Sequence, residues 1–258
     1  KGKDETFKAL VDQYNRQPNL TAKTAASKVA QAYSTPIPLS YATGIAIDLS
    51  GAKLAYEPTA GNASLTIEGK PENIIVNELD PSRLQSLKDM GFKQVTSNDA
   101  TTAQPPAGAD RMTMNAPFGS QLEGGEKKEF PLYTAENGQV ITTPNIDQSI
   151  SLKALQGLTQ DGKASIILGG KKGTDEDRKN GYRVFKTQLP FWNHLYQNYN
   201  VTDHFTIAGD LYDKQGAGWP IDVVIVDGKG KSKLPLPYQQ VPPILSTWEE
   251  VGQRLLHE

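Results

Sequence analysis

The sequence predicts an α/β protein built on a mostly parallel sheet that is covered by helices on both faces. Seven short stretches recur as strand candidates, at 53–58, 73–79, 93–99, 110–115, 164–170, 201–209 and 219–228. Segments with helical spacing fit between several of them, at 81–90, 147–156 and 191–199. This alternation is typical of a parallel sheet with crossover helices. Only DLYDKQGAG separates the last two strands, which is too short for a helical crossover, so we expect that pair to be antiparallel.

The segment before the first strand predicts helices. Phe7, Leu10, Val11 and Tyr14 have helical spacing, and a second helical stretch, 22–33, follows a Pro-Asn break. We therefore expect an N-terminal helical extension over 1–32 and the sheet domain over 33–258.

Two further segments of the sheet domain have distinctive compositions. Residues 119–145 are rich in Gly, Glu and Lys and read as an insertion that forms a hairpin. The stretch KKGTDEDRKNGYR, 171–183, mixes charges of both signs, which predicts a solvated loop, with contact to a phosphate group as the alternative. Trp219 and Trp248 are expected to be packing anchors, with stacking on a base as the alternative.

The composition excludes several kinds of site. The 258-residue chain has a formal net charge of −2, so a nucleic-acid surface would have to be a local patch. It has no cysteine, which excludes disulfides, Cys-zinc sites and a cysteine nucleophile. His194 and His204 have no paired ligand at metal spacing, and no metal site is predicted. Because no apolar run could span a bilayer and no signal peptide is visible, we expect a cytoplasmic protein without a membrane partner.

Polar residues follow each of the first four predicted strands. They are Glu57 with a turn at Gly61, then Glu78, then Asp99, and finally Asn-Ala-Pro-Phe at 115–118. In open α/β sheets, ligands bind outside the carboxyl ends of the strands, and an acid about 20 residues after a glycine turn commonly meets ribose hydroxyls. Taken singly, each has a plainer interpretation: a simple strand-to-helix turn, an exposed charge before a helix, or a helix cap.

In this order, YSTPIPLSY, YEPTAGNASL, NELDP, SNDA and NAPFG resemble the S-adenosylmethionine-dependent adenine-N6 DNA methyltransferases. The similarity is greatest to the module fused to a helicase in phages and conjugative elements, including phage defence-against-restriction proteins. It implies a Rossmann-like class I methyltransferase fold with seven strands, the last antiparallel. It also implies that the chain is one module of a larger phage or mobile-element protein, with DNA and a fused or associated helicase as partners.

The resemblance also implies roles for individual residues. S-adenosylmethionine would be the cofactor, bound by Tyr33, Thr35, Pro36, Glu57, Ala60, Gly61, Glu78, Asp99, Ala100 and Asn115. Within this set, 33–36 would close over the methionine part, Glu57 and Gly61 would face the amino acid moiety, Glu78 the ribose and Asp99 the adenine.

The catalytic segment would be Asn115, Ala116, Pro117 and Phe118, matching Asn-Pro-Pro-Phe in the family. The target adenine is flipped out of the DNA stack. The side-chain oxygen of Asn115 and the next carbonyl would accept the two hydrogens of its amino group, and Phe118 would stack on the base.

Two positions depart from the family pattern. Ala116 replaces the first proline, and Ala63 stands where the family has glycine. They suggest a second interpretation: a catalytically weakened cofactor- or DNA-binding module that supports a fused helicase or an antirestriction function.

Overall fold

The computed structural model describes residues 2–18, 34–185, 187–215 and 218–257. The predicted second helix, 22–33, and with it Tyr33, lies outside the described residues.

Eight strands form one mixed sheet in the order β12-β10-β11-β9-β4-β1-β2-β3. They are β1 (Ala55–Glu57), β2 (Ile74–Asn77), β3 (Gln94–Thr96), β4 (Ala109–Asn115), β9 (Leu158–Gly169), β10 (Tyr199–Ile207), β11 (Ile221–Lys229) and β12 (Ile244–Leu245). All seven strands predicted from the sequence are therefore confirmed. The eighth, the short edge strand β12, was not predicted.

The strand directions also match the expectation. Parallel pairing joins β3, β2, β1, β4 and β9, whereas β11 is antiparallel to both β9 and β10. β12 runs parallel to β10. Near-continuous apolar runs such as Ile221–Val226 alternate between the two faces of the sheet, as strands buried on both sides must.

Helices cover both faces of the sheet. They are α1 (Lys3–Arg16), α2 (Ile37–Ala46), α3 (Pro81–Asp89), α4 (Ile146–Leu155), α5 (Asp175–Arg183), α6 (Leu189–Asn198) and α7 (Trp248–Leu255). The core on one face includes side chains of α1, α2, α3 and α7, and that on the other includes side chains of α4, α5 and α6. None of the described helices is long and apolar enough to cross a membrane.

Residues 119–145, which were expected to form one hairpin, contain two. The first pairs β5 (Leu122–Glu123) with β6 (Glu126–Lys127), and the second pairs β7 (Phe130–Thr134) with β8 (Val140–Thr143).

The prediction of a solvated loop at 171–183 is wrong, because residues Asp175–Arg183 form α5. Thr174 and Asp177 form a reciprocal capping box at its start, which satisfies two backbone donors that a helix end otherwise leaves unpaired. The helix buries Arg178 and Tyr182 on its inner face. The sequence did not predict this buried face, because one of its two buried residues, Arg178, is charged.

Candidate active site

The carboxyl ends of the first four parallel strands meet at one edge of the sheet. β1 ends at Glu57, Glu78 directly follows β2, and β4 ends at Asn115. Asp99 lies just beyond β3. The sheet therefore brings to one edge the four polar positions that the sequence singled out.

A first cavity, of about 260 Å³, opens at this edge. Thr35, Ala60, Gly61 and Asn115 line it, and the sequence had assigned all four to cofactor binding. Arg83 of α3 also lines it, and the sequence analysis missed this residue. The only signal was its place in the helix that follows Glu78.

Glu78 fixes the turn that forms one wall of this cavity. Its Oε2 accepts a hydrogen bond from the Gly61 amide at 2.6 Å, and its Oε1 accepts from the Asp80 amide at 2.8 Å. Arg83 Nη1 lies 3.9 Å from the same Oε2. One buried carboxylate thus ties the glycine turn to the start of α3, and its remaining lone pairs leave it able to accept from a ligand hydroxyl.

The same turn contains two residues in the left-handed region. Gly61 has φ +57°, which glycine adopts without steric cost. Ala63 has φ +62°, and its side chain is buried. A residue with a Cβ is strained in this conformation by about 1 kcal/mol or somewhat more. Ala63 therefore adopts a backbone conformation that glycine would take without this cost.

Glu57 is fully buried directly behind the turn. Its Oε1 accepts from the Thr59 amide at 3.1 Å and from the Thr59 hydroxyl at 3.4 Å. Within the described part of the chain, Oε2 has no hydrogen-bond partner. Burial raises the pKa of this carboxyl from 4.5 to about 8, and the bonds from Thr59 oppose the shift. Near neutral pH this carboxyl is therefore mostly protonated, and a cationic ligand group beside it would favour the charged form.

Asn115 is held by two hydroxyl groups. Its Nδ2 donates to Thr35 Oγ1 at 2.9 Å and to Tyr212 OH at 3.0 Å. Both amide hydrogens are thereby used, and the remaining hydrogen-bonding atom, Oδ1, is an acceptor. Tyr212 could not be predicted from the sequence, because its segment has no pattern that points to a site.

A second cavity, of about 330 Å³, lies beside Phe118. Phe118 is half-buried and packs near Gly169 at the end of β9, where a Cβ would stand 3.5 Å from the Cβ of Phe118. Trp219 forms part of another wall. It is 49% exposed, so the expectation that it is a packing anchor is wrong, whereas Trp248 is buried against α1. Lys172 Nζ lies 3.8 Å from the Trp219 ring centre.

Polar side chains that were not predicted from the sequence, including Asp147, Gln148 and Gln188, line part of the second cavity. Asp147 is buried and accepts from the Gly169 amide at 3.1 Å. Burial raises the pKa of Asp147, and burial lowers the pKa of nearby Lys171. Gln148 Nε2 donates to Gln188 Oε1 at 2.8 Å. The sequence contains one indication of these residues: Asp147 and Gln148 closely follow residues 119–145, and Lys171 closely follows β9.

The remaining predicted site residues lie around the two cavities. Asp99 is exposed and accepts from the amide and hydroxyl of Thr101 at 2.9 and 2.6 Å. These bonds close a local turn, whereas the plainer interpretation was a helix cap. Ala100 and Ala116 are buried in one small cluster with Ile150. Pro36 is the buried N-cap residue of α2, and Pro117 is half-buried.

The two histidines are engaged within the fold. His204 stacks on Trp192 with ring centres 5.0 Å apart, and its Nε2 lies 3.4 Å from Asp222 Oδ2. His194 stacks on Tyr133 at 4.0 Å. Among the residues that the structure describes, no cluster of three or more metal-ligating side chains occurs.

No protein-family model matches the sequence, and no curated protein does so either. Solved structures do match. A class I S-adenosylmethionine-dependent methyltransferase from Listeria monocytogenes aligns with 99% of this chain and 77% of its own, with a TM-score of 0.55 and 10% identity. The chain has the fold of the class I methyltransferases.

Two further structures with this fold are modification proteins of type I restriction enzymes. The modification subunit from Vibrio vulnificus YJ016 matches over 78% of this chain and 45% of its own, with a TM-score of 0.55 and 14% identity. The EcoKI M protein matches over 77% and 44%, with a TM-score of 0.54 and 14% identity. The chain thus spans less than half the length of these two proteins.

Proposed function

We propose that the chain transfers a methyl group from S-adenosylmethionine to the N6 atom of adenine in DNA. The observation that carries the proposal is the orientation of Asn115. Its amide group is fixed by Thr35 and Tyr212, so that the atom left for a substrate is a hydrogen-bond acceptor. An amino group is what such an acceptor recognises.

The first cavity suits the proposed cofactor, which supplies an electrophilic methyl group on a sulfonium centre. An ammonium beside the unpartnered Oε2 of Glu57 would favour the charged form of this carboxyl, which suits the amino acid moiety of the cofactor. Glu78 retains capacity to accept from ribose hydroxyls, and Asp99 at the same sheet edge would accept from the adenine amino group. Thr35 and Pro36 would close the methionine end, and Tyr33 remains an assignment from the family resemblance.

The second cavity suits a flipped base. Phe118 on its wall would stack on the base, a contact worth about 1–3 kcal/mol. Asn115 lines the first cavity and Phe118 the second, and only two residues separate them. The segment Asn115–Phe118 thus borders both cavities, which is the arrangement that a transfer between two ligands requires.

The chemistry at Asn115 follows from the electronic structure of the base. The lone pair of an exocyclic amino nitrogen is delocalised into the ring, which makes it a poor nucleophile. If Asn115 Oδ1 and the Ala116 carbonyl each accept one amino hydrogen, the nitrogen is held nearer to tetrahedral geometry, and its lone pair becomes available for attack. These groups act by position and electrostatics alone.

The DNA substrate and the larger assembly belong to the same proposal. The motifs of the resemblance support adenine as the target, and the two restriction-modification proteins with this fold support DNA. Because both are more than twice as long as the matched part, we infer that the chain acts with further domains or subunits. The resemblance favours a phage or mobile-element protein with a fused helicase.

A second candidate is a module that binds cofactor or DNA but methylates weakly. The observations that favour it are Ala63, whose Cβ strains the turn of the first cavity, and Ala116 in place of the family's proline. Both would lower the rate without preventing binding.

Transfer of tritiated methyl groups to single-stranded and duplex DNA separates the candidates. For the enzyme, Asn115→Ala should raise the barrier by about 2.7–4 kcal/mol, or lower the rate by about 10²–10³, while calorimetry shows little change in cofactor affinity. Asn198→Ala is the matched control, because it removes an exposed amide at the end of α6. Binding of cofactor or DNA without methylation of any DNA would leave the binding module as the function. Failure to bind cofactor would reject the enzyme, and failure to bind either cofactor or DNA would reject both candidates.

A further inference from the structure

Tyr212 connects the amide of Asn115 to the N-terminal helix. It lies in a 3-10 helix, Gly209–Gln215, that joins β10 to β11. Its side chain is fully buried, and its hydroxyl lies 3.0 Å from Asn115 Nδ2. Burial raises the pKa of Tyr212 well above its usual value, so the group is a neutral hydroxyl at physiological pH.

The 3-10 helix that contains Tyr212 is bonded to α1 on both sides of that residue, at Leu211 and at Lys214. The Tyr14 hydroxyl donates to the Leu211 carbonyl at 3.0 Å. Lys214 Nζ donates to the carbonyls of Asn15 and of Gln17, the latter at 2.9 Å. Carbonyls at the end of a helix have no partner within the helix, and a cation there is favoured by the helix dipole. The contacts therefore fasten the residues on either side of Tyr212.

Tyr14 is itself firmly placed. It is buried, and its ring meets Trp248 of α7 edge to face with ring centres 5.6 Å apart. A buried aromatic pair of this geometry stabilises by about 0.5–1.5 kcal/mol beyond the area it covers. The N-terminal helix is thus packed into the core that supports the site.

One hydrogen bond does not define the plane of an amide side chain. The terminal torsion of asparagine is broad and roughly two-fold, so a single contact to Thr35 would allow the group to rotate. The second hydrogen bond, which Nδ2 donates to the Tyr212 hydroxyl, fixes the direction of Oδ1. Rotation of the Asn115 amide would turn its donor, Nδ2, toward the substrate amino group, where the acceptor Oδ1 is needed.

We propose that Tyr212 is a positioning residue for methyl transfer and that α1 holds it in place through Tyr14. The inference rests on the proposed function, since it assigns a role in the reaction of the same site. It makes the N-terminal helix part of the active site's support, although the helix contributes no residue to either cavity described above.

The kinetic test uses Tyr212→Phe, which keeps the buried ring and removes only the hydroxyl. Loss of one oriented hydrogen bond should lower kcat for methyl transfer by about fivefold to tenfold. KM for DNA and Kd for S-adenosylmethionine should stay within about twofold, since the hydroxyl orients the acceptor and does not form either cavity. Tyr14→Phe should lower kcat by a smaller factor.

Tyr199→Phe is the matched control, because it also removes the hydroxyl of a buried tyrosine. Tyr199 lies at the start of β10, whereas Tyr212 follows the end of that strand. It should leave kcat unchanged. A Tyr212→Phe enzyme with unchanged kcat, or with kcat, KM and Kd all altered alike, overturns the positioning role. A Tyr14→Phe enzyme that matches the Tyr199→Phe control overturns the part assigned to α1.

A second measurement does not depend on catalysis. The side-chain NH2 resonances of Asn115, assigned by their loss in Asn115→Ala, should show protection from exchange in the natural chain. Tyr212→Phe should shift and broaden them, and Tyr14→Phe should shift them less. If the natural chain transfers no methyl group but shows this pattern, the proposed function fails and Tyr212 still orients Asn115. Resonances that Tyr212→Phe leaves unchanged refute the inference whether or not the chain is active.

Discussion

Replacement of Glu57 by glutamine should make the protein more stable at alkaline pH. Glu57 is completely buried, and its pKa is raised from 4.5 to about 8. Between these two values, the folded protein holds a proton that the unfolded chain has released. Stability therefore falls as the pH rises through this window, and glutamine, which does not titrate, removes that loss.

The size of the effect follows from the two pKa values. Each pH unit within the window corresponds to about 1.4 kcal/mol, so the full span represents about 5 kcal/mol. Partial ionisation near each end reduces the change between about pH 5 and pH 8 to about 3–4 kcal/mol. The difference in unfolding free energy between Glu57→Gln and the natural chain should grow by that amount.

Urea denaturation at a series of pH values measures this difference directly. Burial also raises the pKa of Asp147. Its contribution is the same in both proteins, so it cancels when their unfolding free energies are subtracted at each pH. Glu72→Gln, at an exposed site, is the control and should give a difference that does not change with pH. If the Glu57→Gln difference is equally flat, the carboxyl is not held in the protonated state and the reasoning from burial is wrong.

Four further changes test other parts of the structure. Glu78→Ala should weaken S-adenosylmethionine binding in calorimetry, because the Gly61 and Asp80 amides lose their acceptor and the turn loosens; unchanged affinity would contradict this. Phe118→Ala should raise KM for DNA and lower the methylation rate together, and a change in neither would exclude stacking. Ala116→Pro should hold or raise the rate per folded molecule while lowering the melting temperature, since the ring must fit a buried contact with Ala100 and Ile150. Arg178→Leu should cost about 3 kcal/mol in urea unfolding, because it leaves a buried carbonyl of Pro242 and Thr206 Oγ1 without their donor, whereas Arg183→Leu on the exposed end of the same helix should cost almost nothing.

The sequence by itself determined the α/β class, the seven main strands and the antiparallel pair. Those features depend on local patterns: apolar runs of strand length, helical spacing between them, and nine residues between β10 and β11 in the prediction. The same local order placed Glu57, Glu78, Asp99 and Asn115 after successive strands, and parallel pairing then brings them to one edge without further information.

The sequence failed where a local pattern was ambiguous. The mixed charges of 171–183 resembled a solvated loop, but α5 buries Arg178 against Thr206 and the Pro242 carbonyl. Only the tertiary structure supplies those partners, 28 and 64 residues away. Burial of a charge is favourable when such partners are present, and no periodicity in the segment itself encodes them.

The tertiary structure alone decided which side chains complete the site. Tyr212 reaches Asn115 across 97 residues, and Tyr14 reaches Leu211 across 197. Arg83, Asp147 and Lys171 likewise enter the cavities only because strand order brings α3, α4 and the end of β9 to the same edge. Propensity and spacing act over a few residues, whereas these contacts are fixed by the order of strands in the sheet. The strand order therefore also sets the direction of the Asn115 amide, and with it the kind of ligand group that can bind to Oδ1.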